Sequence, residues 1–227
     1  MKPSIVIAVD GTAASGKGTL AKKLAQHFGF AHLDSGSLYR LVALKVHRAG
    51  GRPDNEEDAV RAARSLAAAD IDTVRQDDHT IRSAEIGHAA SLVSVFPGVR
   101  SALLQFQREF ASDPPGQVNG AVIDGRDIGT VICPDATAKL FVDAAPEVRA
   151  HRRWLELKGR GEAADETNLL ADIVERDRRD SGRPISPSRP AADALLLDTT
   201  HLDIDAAFAA ALALVKPKVE EALKALP

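Results

Sequence analysis

The sequence predicts an α/β fold in which helices cover both faces of a parallel sheet. Three observations predict it. Short unbroken apolar runs recur along the 227 residues. Segments with helical apolar spacing lie between them, so strands alternate with helices. A glycine-bounded loop joins the first apolar run to the first helical segment, a supersecondary unit of parallel sheets.

The elements follow in order. Ile5-Val6-Ile7-Ala8-Val9 is apolar throughout, as a strand buried on both faces must be. Leu20 to Phe28 repeats its apolar residues at helical spacing. Gly11-Thr12-Ala13-Ala14-Ser15-Gly16-Lys17-Gly18-Thr19 lies between them. Backbone N–H groups in such a loop point inward, and the helix start adds roughly half a positive charge. Glycines let the backbone approach an anion. Lys17 carries an ammonium toward outer phosphates, and the Thr19 hydroxyl can reach Mg²⁺. Further strands are expected at Ala31 to Leu33, Ala121 to Ile123, Ala138 to Val142 and Ala194 to Leu197. Further helices are expected at Ser37 to His47, Pro97 to Phe110, Pro146 to Leu157, Thr167 to Arg179 and Ile204 to Leu226, the last bent or broken near Pro217.

Residues 52–95 break this rhythm and read as a small insert. Glu56 to Ala69 looks helical; Ile71 to Arg75 and Thr80 to Arg82 look like short strands around a turn at Asp77-Asp78. Gly159 to Glu166 is charged and poor in apolar residues, which suggests a mobile loop, and Ser181 to Pro190 holds three prolines.

Composition narrows the class. A net charge of −3 argues against a nucleic-acid polymer as partner. The single cysteine, Cys133, excludes an intrachain disulfide, fits a reducing compartment and reads as a small buried hydrophobe. Neither a signal peptide nor a bilayer-spanning run is visible, so a cytoplasmic protein is expected. The seven histidines are scattered, which leaves no zinc cluster. Trp154 reads as a packing residue.

Three more constellations carry charge to strand and helix ends. Asp34-Ser35-Gly36-Ser37-Leu38-Tyr39-Arg40 follows the second strand, where open α/β sheets bind ligands. Arg40 could hold a phosphate bidentately, while an N-cap with a solvated arginine explains the same residues equally well. Asp124-Gly125-Arg126-Asp127 closes a buried strand with three charges, which are costly there without partners. Arg176, Asp180 and Arg183 share one helical face. Alone that face reads as solvated surface. Phosphoryl transfer, however, needs cations over the migrating group, and Arg149, Arg152 and Arg153 offer more.

Taken together these segments resemble the bacterial cytidylate kinases, a family of nucleoside monophosphate kinases. Asp10 to Leu20, Leu33 to Gly36 with Tyr39-Arg40, Ala89-Ala90-Ser91 with Phe96 to Arg100, Asp124 to Thr130, Arg149 to Arg153, Arg176 to Arg183 and Ala191 to Ala194 carry the likeness over nearly the whole chain. A hydroxyl two residues after the lysine, with Gly18 between, is a spacing commonest in small nucleotide kinases. The resemblance implies a three-layer P-loop kinase fold with one domain over 1–227, a monophosphate-binding insert near 52–95 and a lid near 158–166. It implies ATP, Mg²⁺ and CMP or dCMP as reactants, a place in pyrimidine nucleotide metabolism, and a monomer. Gly11, Thr12, Ala13, Ala14, Ser15, Gly16, Lys17, Gly18, Thr19 and Arg153 would bind ATP. Ser35, Arg40, Ser91, Arg100, Arg126, Asp127, Arg176, Asp180 and Arg183 would bind CMP, with Ser91, Arg100 and Asp127 reading cytosine. Lys17, Arg126, Arg176 and Arg183 would be catalytic, and Thr19, with Asp124 as second candidate, would meet the metal. Relatives often carry proline and more glycine where this loop has Thr12-Ala13-Ala14-Ser15, so a stiffer loop is expected. Competing readings are a kinase for another small acceptor such as shikimate, a slow nucleotide-hydrolysing switch, and a phosphate-binding module without catalysis.

Overall fold

The structure, a computed structural model, describes residues 4–66, 78–81 and 83–226. The chain forms two compact units, Met1–Leu33 with Phe110–Pro227, and Asp34–Glu109. The second is wider on both sides than the stretch 52–95.

The first unit is built on a five-stranded sheet of β1 (Ile5–Gly11), β2 (Ala31–Asp34), β3 (Gly120–Asp124), β4 (Ala138–Asp143) and β5 (Leu195–Asp198), in the order β2-β3-β1-β4-β5. β1 pairs in parallel with β3 and with β4, and β4 pairs in parallel with β5. Every residue of β1 and β3 is buried, which explains their continuous apolar runs. One face packs Ile5, Ile7, Val9, Val122 and Leu140 against two helices. These are α1 (Lys17–Phe28), through Leu20, Ala21 and Leu24, and α9 (Ile204–Lys224), through Ala207, Ala211, Val215 and Val219. The α9 residues recur every four positions, a single stripe. Pro217 lies off that stripe, and of the bend or break expected there the break does not occur, since α9 runs through it as one helix. α7 (Pro146–Gly159) and α8 (Glu166–Ser181) complete this unit.

The register sets the functional edge. Val9 lies opposite Asp124, Gly11 opposite Val142, and Asp143 opposite Asp198. The carboxyl ends of four strands therefore line up where α1 begins.

The second unit holds α2 (Ser35–Arg48), α3 (Glu56–Arg64), α4 (Asp78–Ile81), α5 (Ala84–Val93) and α6 (Pro97–Ser112), the last of which runs on past the unit's end. Asp34, Asn55 and Ser83 each cap a helix by accepting a backbone N–H three residues on. Leu38, Val42, Ala59, Ile81, Val93 and Val99 form its core. Thr80 and Ile81 are helical, which corrects the strand expected at Thr80 to Arg82. Alternation over three residues carries little strand signal without a partner ladder, and the buried Ile81 anchors this turn instead. The expected strand at Ile71 to Arg75, and Arg82, lie outside the described residues. Among the described residues no single helix is long and apolar enough to cross a membrane.

Candidate active site

The loop after β1 is held from below and from both sides. Gly11 has φ 152, and a Cβ there would meet the Val142 carbonyl oxygen at 2.0 Å, so only glycine fits. Ser15 Oγ donates to the Thr12 carbonyl at 3.1 Å, and Thr12 Oγ1 donates to Asp143 Oδ1 at 2.6 Å. Gly16, with φ 86, turns the chain into α1. Lys17 Nζ donates to the Thr12 carbonyl at 3.1 Å, which folds its ammonium over the loop. Thr19 is exposed on the first turn of α1. Asp124 ends β3 beside this turn: a Cβ on Gly18 would sit 3.5 Å from Asp124 Oδ2. The other oxygen, Oδ1, lies 2.8 Å from His32 Nε2.

The cations expected at this edge converge on one carboxylate. Asp180, buried on α8, takes Arg126 Nε at 2.9 Å on one oxygen and Arg183 Nη2 on the other, with Arg176 Nε 3.9 Å away. Burial pushes the Asp180 carboxyl up. The guanidiniums of Arg126, Arg183 and Arg176 outweigh this and hold it below the usual carboxylate range. Three cations against one anion leave a net positive cluster. Asp127, also buried, opens a π-helical turn at Ile128–Ile132; the Val131 and Ile132 N–H groups donate to its carbonyl. π-turns frequently accompany functional sites.

Asp10 fixes that turn. Its carboxylate accepts the Ile128 N–H at 2.8 Å and the Gly129 N–H at 2.7 Å. Burial pushes its carboxyl up to about 6, against the lowering effect of these two bonds. The folded state thus binds this proton more tightly than the unfolded chain. Stability from Asp10 is full below the ordinary value of 3.8 and is lost as pH rises to about 6. A shift of this size is worth roughly 3 kcal/mol. Urea melts of the wild type and Asp10→Asn at pH 4.5 and 7 test it. The wild type should lose stability relative to the variant over that interval; a pH-independent difference would show that Asp10 titrates normally.

Other expected site residues are placed as follows. Arg153 pairs with Glu156 at 2.7 Å on its own helix, and Arg160 shares that carboxylate. Arg152 donates to the Thr199 and Leu202 carbonyls at 2.6 and 3.2 Å, which makes it a structural strut rather than a spare cation. Cys133 is half-buried. Trp154 stacks on His151, with the Lys158 ammonium 4.6 Å from its ring centre. In the second unit, Ser35 is buried at the start of α2, and Arg40 Nη1 donates to the Ile81 carbonyl at 2.8 Å. Arg100 is buried and stacks its guanidinium 5.6 Å from the Tyr39 ring centre. Its Nη1 donates to the Ser94 carbonyl at 3.3 Å, while Ser94 Oγ donates to the Ser91 carbonyl. Ser91 Oγ itself is buried and has no hydrogen-bond partner among the described residues.

Sequence reasoning missed three groups: Asp10, His32 and Asp177. The first two left a signal, a charged or polar residue inside an apolar strand. Asp177 left none, because it sits in a run of charges where every residue looks solvated.

A glycine-framed loop between β1 and α1, a lysine over it, and guanidiniums gathered at the same sheet edge define a P-loop phosphotransferase. The family model described as cytidylate kinase matches residues 7–217. The chain belongs to the cytidylate kinase family. It is 54% identical over 212 residues to a cytidylate kinase of Rhodopseudomonas palustris (strain TIE-1), covering 93% of this chain and 96% of that one. It is likewise 54% identical to a cytidylate kinase of Afipia carboxidovorans, over 93% and 97% of the two chains. Among solved structures, an uncharacterized protein from Eubacterium ventriosum shares the fold at a TM-score of 0.51 and 16% identity, over 94% of this chain and 99% of that one.

Proposed function

We propose that this chain transfers the γ-phosphoryl of ATP to the phosphate of CMP or dCMP, giving ADP and CDP or dCDP. The observation that carries this reading is the convergence of Arg126, Arg176 and Arg183 around Asp180 at the phosphate-loop edge of the sheet. Simple phosphate binding does not need cations over the transferred group; phosphoryl transfer does.

An oxygen of the CMP phosphate attacks the γ-phosphorus as the bond to the β-bridging oxygen breaks. That oxygen is already ionised near neutral pH, so no residue is assigned as a base. Lys17, Arg126, Arg176 and Arg183 neutralise charge that spreads during transfer. The loop from Gly11 through Thr12, Ala13, Ala14, Ser15, Gly16, Lys17 and Gly18 to Thr19 receives the ATP phosphates, and Arg153 is assigned to ATP as well. Mg²⁺ suits a site with few protein ligands, because it keeps most of its oxygens from water and phosphates. The exposed Thr19 hydroxyl and Asp124 are oxygen donors of that kind, and both belong to the loop edge. Bound there, the ion would offset charge on the phosphates.

On the first unit, Arg126, Asp127, Arg176, Asp180 and Arg183 are assigned to CMP. On the second, Ser35 and Arg40 are assigned to its phosphate, and Ser91 and Arg100 to its base. The orphaned Ser91 hydroxyl supports this, since a buried polar group without a partner is costly until a ligand satisfies it. The family's monophosphate-binding insert is assigned to residues 52–95 and its lid to residues 158–166. The enzyme is proposed to act as a cytoplasmic monomer on free nucleotides in pyrimidine metabolism.

A coupled ADP-release assay across CMP, dCMP, UMP, AMP and GMP tests the reading. Cytosine offers an amino donor to Asp127, whereas uracil presents a carbonyl. An unpaired buried group costs about 1–3 kcal/mol, roughly 5- to 150-fold. CMP should therefore exceed UMP in kcat/KM by that factor. Equal rates would remove Asp127 from this role, and turnover with AMP alone would overturn the acceptor assignment.

A further inference from the structure

Arg149 is only 2% exposed, yet it stands outside the arginine cluster. Its Nε donates to the Ala144 carbonyl at 2.7 Å, just beyond β4. Its Nη1 donates to the Ala13 carbonyl in the phosphate loop at 3.1 Å and lies 2.6 Å from Asp177 Oδ2 on α8. The second Asp177 oxygen, Oδ1, accepts the Ala13 N–H at 3.4 Å. Ala13 is therefore gripped by both its N–H and its carbonyl. The next residue, Ala14, has φ 57, a left-handed conformation that favours glycine. A non-glycine residue holds that shape only where its surroundings over-determine it.

We propose that Arg149 and Asp177 are positioning residues that lock the phosphate loop in its anion-receiving shape and join it to α8. This role rests on the phosphotransfer reading above. Asp177 adjoins Arg176 and lies one turn before Asp180, so the clamp ties the loop to the helix that carries the catalytic Arg176 and the carboxylate on which Arg126 and Arg183 converge. Donor phosphates and cations are then placed as one rigid piece. The alanines of this loop lack glycine's freedom, and the clamp supplies the constraint they require. Arginine suits the position because its fork serves three acceptors on three segments at once.

The test uses Arg149→Lys, Arg149→Met and Asp177→Asn in the full chain. ATP affinity is measured by calorimetry without acceptor, kcat and KM with CMP well below the melting temperature, and loop order by hydrogen exchange at Ala13 to Ser15. The Met variant should lose about 10²-fold in kcat, as displaced reacting groups do, with KM for CMP changed much less. Its ATP affinity should weaken, and its loop amides should exchange faster. Lysine, which keeps the charge and one donor, should restore part of the loss. If the Met variant does not fold, Asp177→Asn keeps the side-chain shape and decides the matter. Lowered melting with wild-type kcat, ATP affinity and loop exchange would overturn the clamp and leave a mere strut. Failure of the wild type to use any acceptor would instead strike the proposed function, since ATP affinity and loop exchange read the clamp without one.

Discussion

Lys17→Met is expected to lower kcat by roughly 10²–10³ while the protein stays folded, the scale seen when one charge-stabilising group is removed from a reacting centre. The lysine is at the first position of α1, over the loop, and its ammonium donates to the Thr12 carbonyl. Methionine keeps the length and helix propensity and discards the charge. Half-exposed as it is, Lys17 contributes little packing, so the stability change should stay below about 1 kcal/mol. The mechanism locates its effect in the transition state, where charge gathers on the phosphoryl oxygens. Turnover should therefore fall further than ATP affinity. Steady-state kinetics beside a thermal melt settles the matter: near-normal kcat would remove Lys17 from catalysis.

Asp180→Ala should damage stability and catalysis together. The carboxylate is buried where three guanidiniums meet, and removing it leaves cations facing each other with no anion between them. Breaking a buried pair by deleting one partner costs about 3–5 kcal/mol. The direction of its titration sets the pH range. Because its folded value is depressed, its contribution is present above the unfolded value and lost only as pH falls through the lowered one. The deficit of the variant should accordingly be constant from pH 6 to 8. The lost charge can be supplied from solution. Inorganic phosphate should raise the melting temperature of the variant more than that of the wild type, by mass action on a site now missing its anion. Equal shifts in the two proteins would mean that the arginines do not form an anion receptor.

Much of this architecture is legible in the residues. The run Ile5 to Val9 could only be a strand buried on both faces, and the loop behind it could only approach an anion through its glycines. Arg176 and Asp180 share one face of α8 as their spacing implies, whereas Arg183, expected on the same helical face, lies past the helix end at Ser181 and meets Asp180 from the segment beyond. Other features were not legible. Thr80 and Ile81 alternate like a strand but coil into a helical turn, because Ile81 finds a helical core to fill. Of the bend or break expected near Pro217 the break does not occur, because α9 keeps its apolar stripe on the sheet and Pro217 lies off it. Arg152 looked like a spare phosphate ligand, yet it spans to the Thr199 and Leu202 carbonyls, a contact across 47 and 50 residues of sequence.

The sequence alone determined the kind of site: which backbone cradles phosphate, which side chains bring charge, and where each falls on its own strand or helix. These are local properties, set by periodicity, glycine and the chemistry of each side chain. Only the tertiary structure decided the partners. It gave Arg126 to Asp180, Arg149 to the loop and Asp177, and the Asp10 carboxylate to two amides far along the chain. The physical reason is that a buried charge is stable only where a complement meets it, and the parallel sheet, with its long crossovers, brings that complement from distant sequence.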